Sequence, residues 1–317
     1  MHDNDYDNDS YISINNPINN IPYGQGRDIH GNDKFSGISH ETTCFVDDAS
    51  SVAGFKHKSQ ILAYIRDYME TMGLFYASNK LKLNPSKSHF CISGTGAQIT
   101  ETSRFALRLD NELVSNSHQV RVLGYLFNST NDTNSQINEL IQSLNYRLVS
   151  LSQISKYCRQ KTIAQFIQAY VIGKLNYMVS AYLSSPAYQL SKLDKVILRA
   201  ARISVGAYKA RKMSNKQLLA ECGFRSIRAY TQISGLNFFH KLVQLKKPEN
   251  LHNKLKVPNR QCKNFDFSYK KLTKRTKNSH FFQAMTLYNT LPPTYRTLTI
   301  KSFKNKVKKL AGTTGVT

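Results

Sequence analysis

Two adjacent carboxylates, Asp47 and Asp48, follow Phe45-Val46 and separate two β-prone runs, residues 42–46 and 51–55. That pattern predicts a hairpin with the acids at its turn. Like charges at a hairpin tip repel, and the pair becomes favourable when a hard cation such as Mg²⁺ sits between it and a phosphate, the arrangement that phosphoryl transfer needs. Asp is also a favoured turn residue, so an acidic surface turn accounts for the same four residues without chemistry. The other metal-ligating types give less. The cysteines, Cys44, Cys91, Cys158, Cys222 and Cys262, stand singly with no CxxC, and the nine histidines are scattered, so neither zinc nor a histidine role is expected.

The polypeptide that must position these acids has 317 residues and a formal charge of +24. That excess points to a polyanionic partner, nucleic acid first. The charge is unevenly spread: residues 1–50 carry nine acids and two bases, whereas residues 51–317 carry 42 bases and 11 acids. A mean hydropathy of −0.44 and the lack of any run of about 18 apolar residues argue against a membrane span. The first 20 residues contain no apolar signal core, so an intracellular setting, nucleus or cytoplasm, is expected, with free thiols.

Residues 1–40, rich in Asn, Asp and Gly without a sustained period, read as a disordered acidic leader. After the hairpin, Ile61, Tyr64, Ile65, Tyr68, Met72 and Phe75 recur at helical spacing and predict an amphipathic helix whose stripe is core. Strands are expected near 88–93, 105–109 and 120–127, with turns at Gly94-Thr95-Gly96 and Asp110-Asn111. Beyond residue 130 the spacing turns helical. Ile137 to Ile154 and Ile163 to Leu175 form two apolar faces. Ser185-Pro186 starts a helix ending at Gly206, Ser214 with Gln217 makes a capping box closed by Gly223, and a longer helix follows. Residues 246–280, with 11 bases and two acids, read as a solvated basic linker before two final helices in 281–317.

The order of short motifs narrows the reading. After Phe45-Val46-Asp47-Asp48 and the helix come Leu81-Lys82-Leu83-Asn84-Pro85-Ser86-Lys87-Ser88 and then Val122-Leu123-Gly124-Tyr125-Leu126. Farther on stand Leu193-Asp194-Lys195, Arg199-Ala200-Ala201-Arg202 and Tyr288-Asn289-Thr290-Leu291-Pro292-Pro293. This series, over about residues 42–311, resembles the reverse transcriptase of non-LTR retrotransposons. The resemblance implies an α+β fold: a partial polymerase palm over 41–130, then a mainly helical thumb over 131–245, the basic linker 246–280 and C-terminal helices 281–317. It implies RNA-directed DNA synthesis with Mg²⁺ on an RNA/DNA template-primer, with no obligate protein partner.

Within that resemblance Asp47 would bind metal and Asp48 would shape the hairpin and its charge. Lys87 would sit near the leaving pyrophosphate, although by itself it is an ordinary surface lysine. Leu123 and Gly124 would form the primer grip, Gly124 otherwise being a turn glycine. Lys270, Lys271, Lys274 and Arg275 are the expected phosphate contacts. The further metal-binding Asp of an earlier palm strand, the fingers and an endonuclease domain have no convincing counterpart, so the stretch is expected to be inactive alone. The alternative is a non-catalytic basic nucleic-acid-binding remnant.

Overall fold

The computed structural model describes residues 10–17, 39–45, 48–55, 58–82, 84–94, 96–109, 112–256, 264–267 and 274–313. The chain divides into two compact units, Met1–Gln136 and Ile137–Thr317. The first is α+β and the second mainly helical.

In the first unit, strands β1 (Ser10–Pro17), β2 (Ser39–Phe45) and β3 (Asp48–Phe55) precede helix α1 (Lys58–Ser78), which returns the chain through the 3₁₀ turn Pro85–Lys87 to β4 (His89–Ser93). The sheet order is β2-β3-β1-β4, with β1 antiparallel to both β3 and β4. Residues 10–17, read from the sequence as part of a disordered leader, are therefore an interior strand. The local composition of SYISINNP gives little sign of this, because its pairing partners lie far along the chain.

One face of α1 builds the core. Ile61, Tyr64, Ile65, Tyr68, Met72 and Tyr76 pack on Ala53 and Phe55 of β3 and Phe90 and Ile92 of β4. Each large side chain so buried is worth about 1.5–3 kcal/mol. Phe75, expected on that stripe, is 40% exposed, and Tyr76 takes its place. The helix stops in a Schellman turn: Leu81 N–H reaches Tyr76 O, Lys80 N–H reaches Ala77 O, and Lys80 itself is left-handed, φ 58°.

Three short additions complete the unit: helix α2 (Gly96–Thr102), the hairpin β5 (Ala106–Leu109) with β6 (Glu112–Ser115), and the hairpin β7 (Gln119–Val122) with β8 (Tyr125–Asn128). Gly96, expected in a turn, opens α2, and the single strand expected over 120–127 is folded back on itself at Leu123-Gly124.

The second unit contains most of α3 (Asn134–Ile154), and α4 (Gln160–Ile167), the π-helical turn Gln168–Ile172, α5 (Gly173–Asn176), the 3₁₀ turn Val179–Ser184, α6 (Ala187–Val205), α7 (Ala207–Arg211), α8 (Asn215–Cys222) and α9 (Ile227–Leu245). The capping box forms as expected, with Ser214 and Gln217 bonded reciprocally and Gly223 closing α8 at φ 65°. The cap of α6 lies one residue later than expected, at Pro186, and makes no side-chain bond.

Helix α10 (Glu249–His252), the pair β9 (Leu255–Lys256) and β10 (Asp266–Phe267), α11 (Lys274–Lys277), α12 (His280–Asn289) and α13 (Ile300–Thr313) follow. The segment read as a solvated linker contributes Leu255 and Phe265 to a core with Phe239, Tyr288 and Phe303. Phe265 is locked in place by Asn289, whose side chain accepts from the Phe265 N–H and donates to its carbonyl, each at 2.9 Å. At the centre, His240 stacks on Phe303 with ring centroids 3.8 Å apart. Leu298 O can only accept, so His240 Nε2–H donates to it and Nδ1 accepts from the Tyr288 hydroxyl.

Candidate functional site

The β2–β3 hairpin pairs Phe45 with Asp48, and Val46 and Asp47 lie between them in the sequence. Asp47 lies outside the described residues. Asp48 is the first residue of β3, and across the sheet its neighbour on β1 is Pro17, with Asn16 facing Ala49 and Asn15 facing Ser50.

Register carries the same level over to β4. Asn15 pairs with His89, two residues past Lys87. The turn Pro85–Lys87 thus feeds β4 at the sheet end where Asp48 starts β3, and two strand spacings, about 10 Å, separate the β3 and β4 backbones. Lys87 is exposed, and its N–H bonds to Asn84 O at 3.2 Å. Asp48 and Lys87 are therefore brought to one end of one sheet.

Leu123 and Gly124 form the β7–β8 turn with φ of 47° and 80°. Positive φ at both central positions is the type I′ requirement, which glycine meets freely and leucine meets at a cost of about 1–2 kcal/mol. Leu123 is 36% exposed.

Lys270 and Lys271 lie outside the described residues, and for Lys274 and Arg275 the backbone forms the start of α11. A better-defined basic surface occurs on α6, which the spacing of apolar residues alone did not reveal. Lys192, Lys195, Arg199 and Arg202 are all exposed, opposite the buried Leu193, Val196, Ile197, Ala200 and Ala201. Their intervals of three, four and three residues place them along one helix face over about 15 Å. Arg199 donates to Asn145 Oδ1 at 3.1 Å and Arg202 to Asn215 Oδ1 at 3.3 Å, neutral partners that fix direction without cancelling charge.

Aromatic rings accompany these bases. Tyr188 begins the same stripe with Lys192 Nζ 6.0 Å from its ring centre, and Tyr208 carries Lys212 at 4.5 Å. On α3 and the π turn, Tyr146 is 78% and Tyr170 56% exposed, and Arg147 donates to Tyr170 O at 2.7 Å. Cations interleaved with open aromatic faces are what a single-stranded nucleic acid uses for phosphates and base stacking.

The acid inside the α6 stripe is accounted for structurally. Asp194 accepts the Ile227 N–H at 2.7 Å, and burial pushes its carboxyl above the ordinary range, partly offset by that bond. Among the described residues no three His, Cys, Asp or Glu side chains converge as a metal would require, and no helix is long and apolar enough to cross a membrane.

These features define the class: an α+β chain with an acidic hairpin on a small antiparallel sheet and a helical unit bearing a basic, tyrosine-studded face. No family model, curated protein or solved structure matches it.

Proposed function

We propose that this chain corresponds to the C-terminal part of an RNA-directed DNA polymerase of the non-LTR retrotransposon type, spanning part of the palm and a helical thumb, and that by itself it does not polymerise. The observation that carries the reading is the hairpin. In the sequence the pair Asp47-Asp48 falls where the Phe45–Asp48 pairing closes the β2–β3 hairpin, β3 leads into the amphipathic helix α1, and the following strand is entered through Lys87 at the same sheet end.

The chemistry of that class joins a primer 3′-hydroxyl to the α-phosphate of a nucleotide with paired Mg²⁺ ions. Among the described residues, those beside Asp48 do not fit such a pair. β1, the strand beside Asp48, reads SYISINNP and supplies Asn and Pro at this level, with no carboxylate in the strand. With no carboxylate on the neighbouring β1, the described residues do not supply a ligand set that brackets two ions, which supports inactivity of this stretch.

The second reading, a non-catalytic nucleic-acid binder, is favoured by the α6 stripe and its tyrosines. Both readings take an RNA/DNA hybrid as partner. Primer extension on an RNA template separates them from a working polymerase: no extension is expected, and Mg²⁺-dependent synthesis abolished by Asp47→Ala would overturn the proposal of inactivity.

A further inference from the structure

A cavity of about 470 Å³ opens in the helical unit beside α9 and α13. Four of its lining residues are cations, Arg225, Lys241, Lys304 and Lys308, and none is an acid. Lys304 and Lys308 are one turn apart on α13, a like-charge spacing that opposes helix stability unless an anion lies between. Among the described residues the three lysines form no ion pair with Asp or Glu.

Arg225 is held from both ends. Its backbone N–H donates to the Tyr230 hydroxyl at 3.3 Å, and its Nη2 donates to Lys308 O at 3.1 Å. Its Nε is buried without an acceptor among the described residues. A guanidinium presents a planar fork of donors suited to two phosphate oxygens, and an orphaned buried N–H is costly. Asn237 and Gln168 add uncharged polar groups to the wall, and Gln168 opens the π-helical turn, an irregularity that recurs at functional sites.

We propose that this cavity is a phosphate-binding site, with Arg225 as the fixed donor and Lys241, Lys304 and Lys308 as the surrounding cations. The phosphate belongs either to a nucleic-acid strand or to a free nucleotide or polyphosphate. Only the first source rests on the nucleic-acid reading above, and the site does not depend on the acidic hairpin.

The test uses the full chain with inorganic pyrophosphate, followed by titration calorimetry, and a short fluorescent RNA, followed by anisotropy. Arg225→Gln should weaken pyrophosphate binding at least about tenfold. Arg225 also anchors α13, so the exposed pair Lys241→Gln with Lys304→Gln is the second variant, expected to give a similar loss with a melting temperature no lower than the parent's. Lys216→Gln, at an exposed position of α8, should bind pyrophosphate as the parent does.

Pyrophosphate displacing the RNA identifies a strand phosphate as the occupant. Pyrophosphate binding that both variants lose, with RNA unbound or undisturbed, identifies a free phosphate ligand and leaves the site intact while the nucleic-acid reading loses support. No pyrophosphate binding, or equal binding by parent and both variants, overturns the site, even if RNA still binds elsewhere.

Discussion

Asp194 Oδ1 accepts the Ile227 N–H at 2.7 Å and so ties the middle of α6 to the first residue of α9. Ser226 caps the same terminus through the Ala229 N–H, so two of the donors that a helix start leaves open are satisfied side by side. Asp194→Ala removes an acceptor for a half-buried N–H and should cost about 1–3 kcal/mol. Asp194→Asn keeps an acceptor and removes a charge that burial disfavours. The folded carboxyl is raised, so its contribution is present below the unfolded value near 3.8 and lost as pH rises through the folded value. Urea titrations should therefore find the Asn variant at least as stable as the parent at pH 7, with its advantage gone in acid. A large loss at pH 7 would show that the charge itself is needed.

The α6 stripe makes a prediction about salt. Neutralising Lys192, Lys195, Arg199 and Arg202 together as Gln should flatten the dependence of affinity on salt, by about 0.9 log unit per log unit of salt for each duplex-DNA phosphate contact removed. The same replacement at Lys270, Lys271, Lys274 and Arg275 tests the segment that the sequence singled out. Anisotropy titrations of a labelled duplex at several salt concentrations compare the two sets, and a slope unmoved by the first set removes α6 from the contact surface.

Leu123 occupies a backbone conformation that asparagine and glycine tolerate better. Leu123→Asn should therefore raise stability by about 1 kcal/mol. If the leucine is retained for contact with a primer, the same variant should weaken binding of a hybrid. Thermal melts and hybrid titrations on one preparation read both effects, and a destabilised variant would mean that the leucine side chain holds the turn.

His280, packed edge-on against Phe238 with ring centroids 5.2 Å apart, is lowered by burial to about 4, and His240 is lowered in the same direction by burial. Both must stay neutral in the folded state. Their contribution is complete above the unfolded value of 6.5 and is lost as pH falls below it, for His280 towards about 4. Stability should decline across that window, and His280→Phe should make the decline shallower. Denaturation midpoints at matched ionic strength measure it, and an unaltered profile in the variant would free His280 from the titration.

The sequence carried those parts of the fold whose signal is local. The Ser214–Gln217 box is a three-residue pattern, and the buried positions of α1 repeat every three or four residues, so both could be read directly. β1 could not, because two isoleucines in an Asn-rich stretch become a strand only when β3 and β4 pair on either side. The buried place of Phe265 has no local signal for a related reason, since it depends on Asn289, 24 residues on. The α6 stripe was legible, at spacings 192, 195, 199 and 202, but a search for apolar periodicity passes over the polar face. The cavity cations come from three separate segments, and no sequence window contains them together.

β1 is hydrogen-bonded along both flanks. A chain beginning at Ser39 would keep β2, β3, α1 and β4, yet hold two bare strand edges on either side of a slot one strand wide. Such a slot is an acceptor for extended peptide, and a synthetic segment matching residues 10–17, added in trans, would complete the sheet by strand addition. Without it, the same open edges would recruit one another, and the shortened chain would associate rather than stay dispersed.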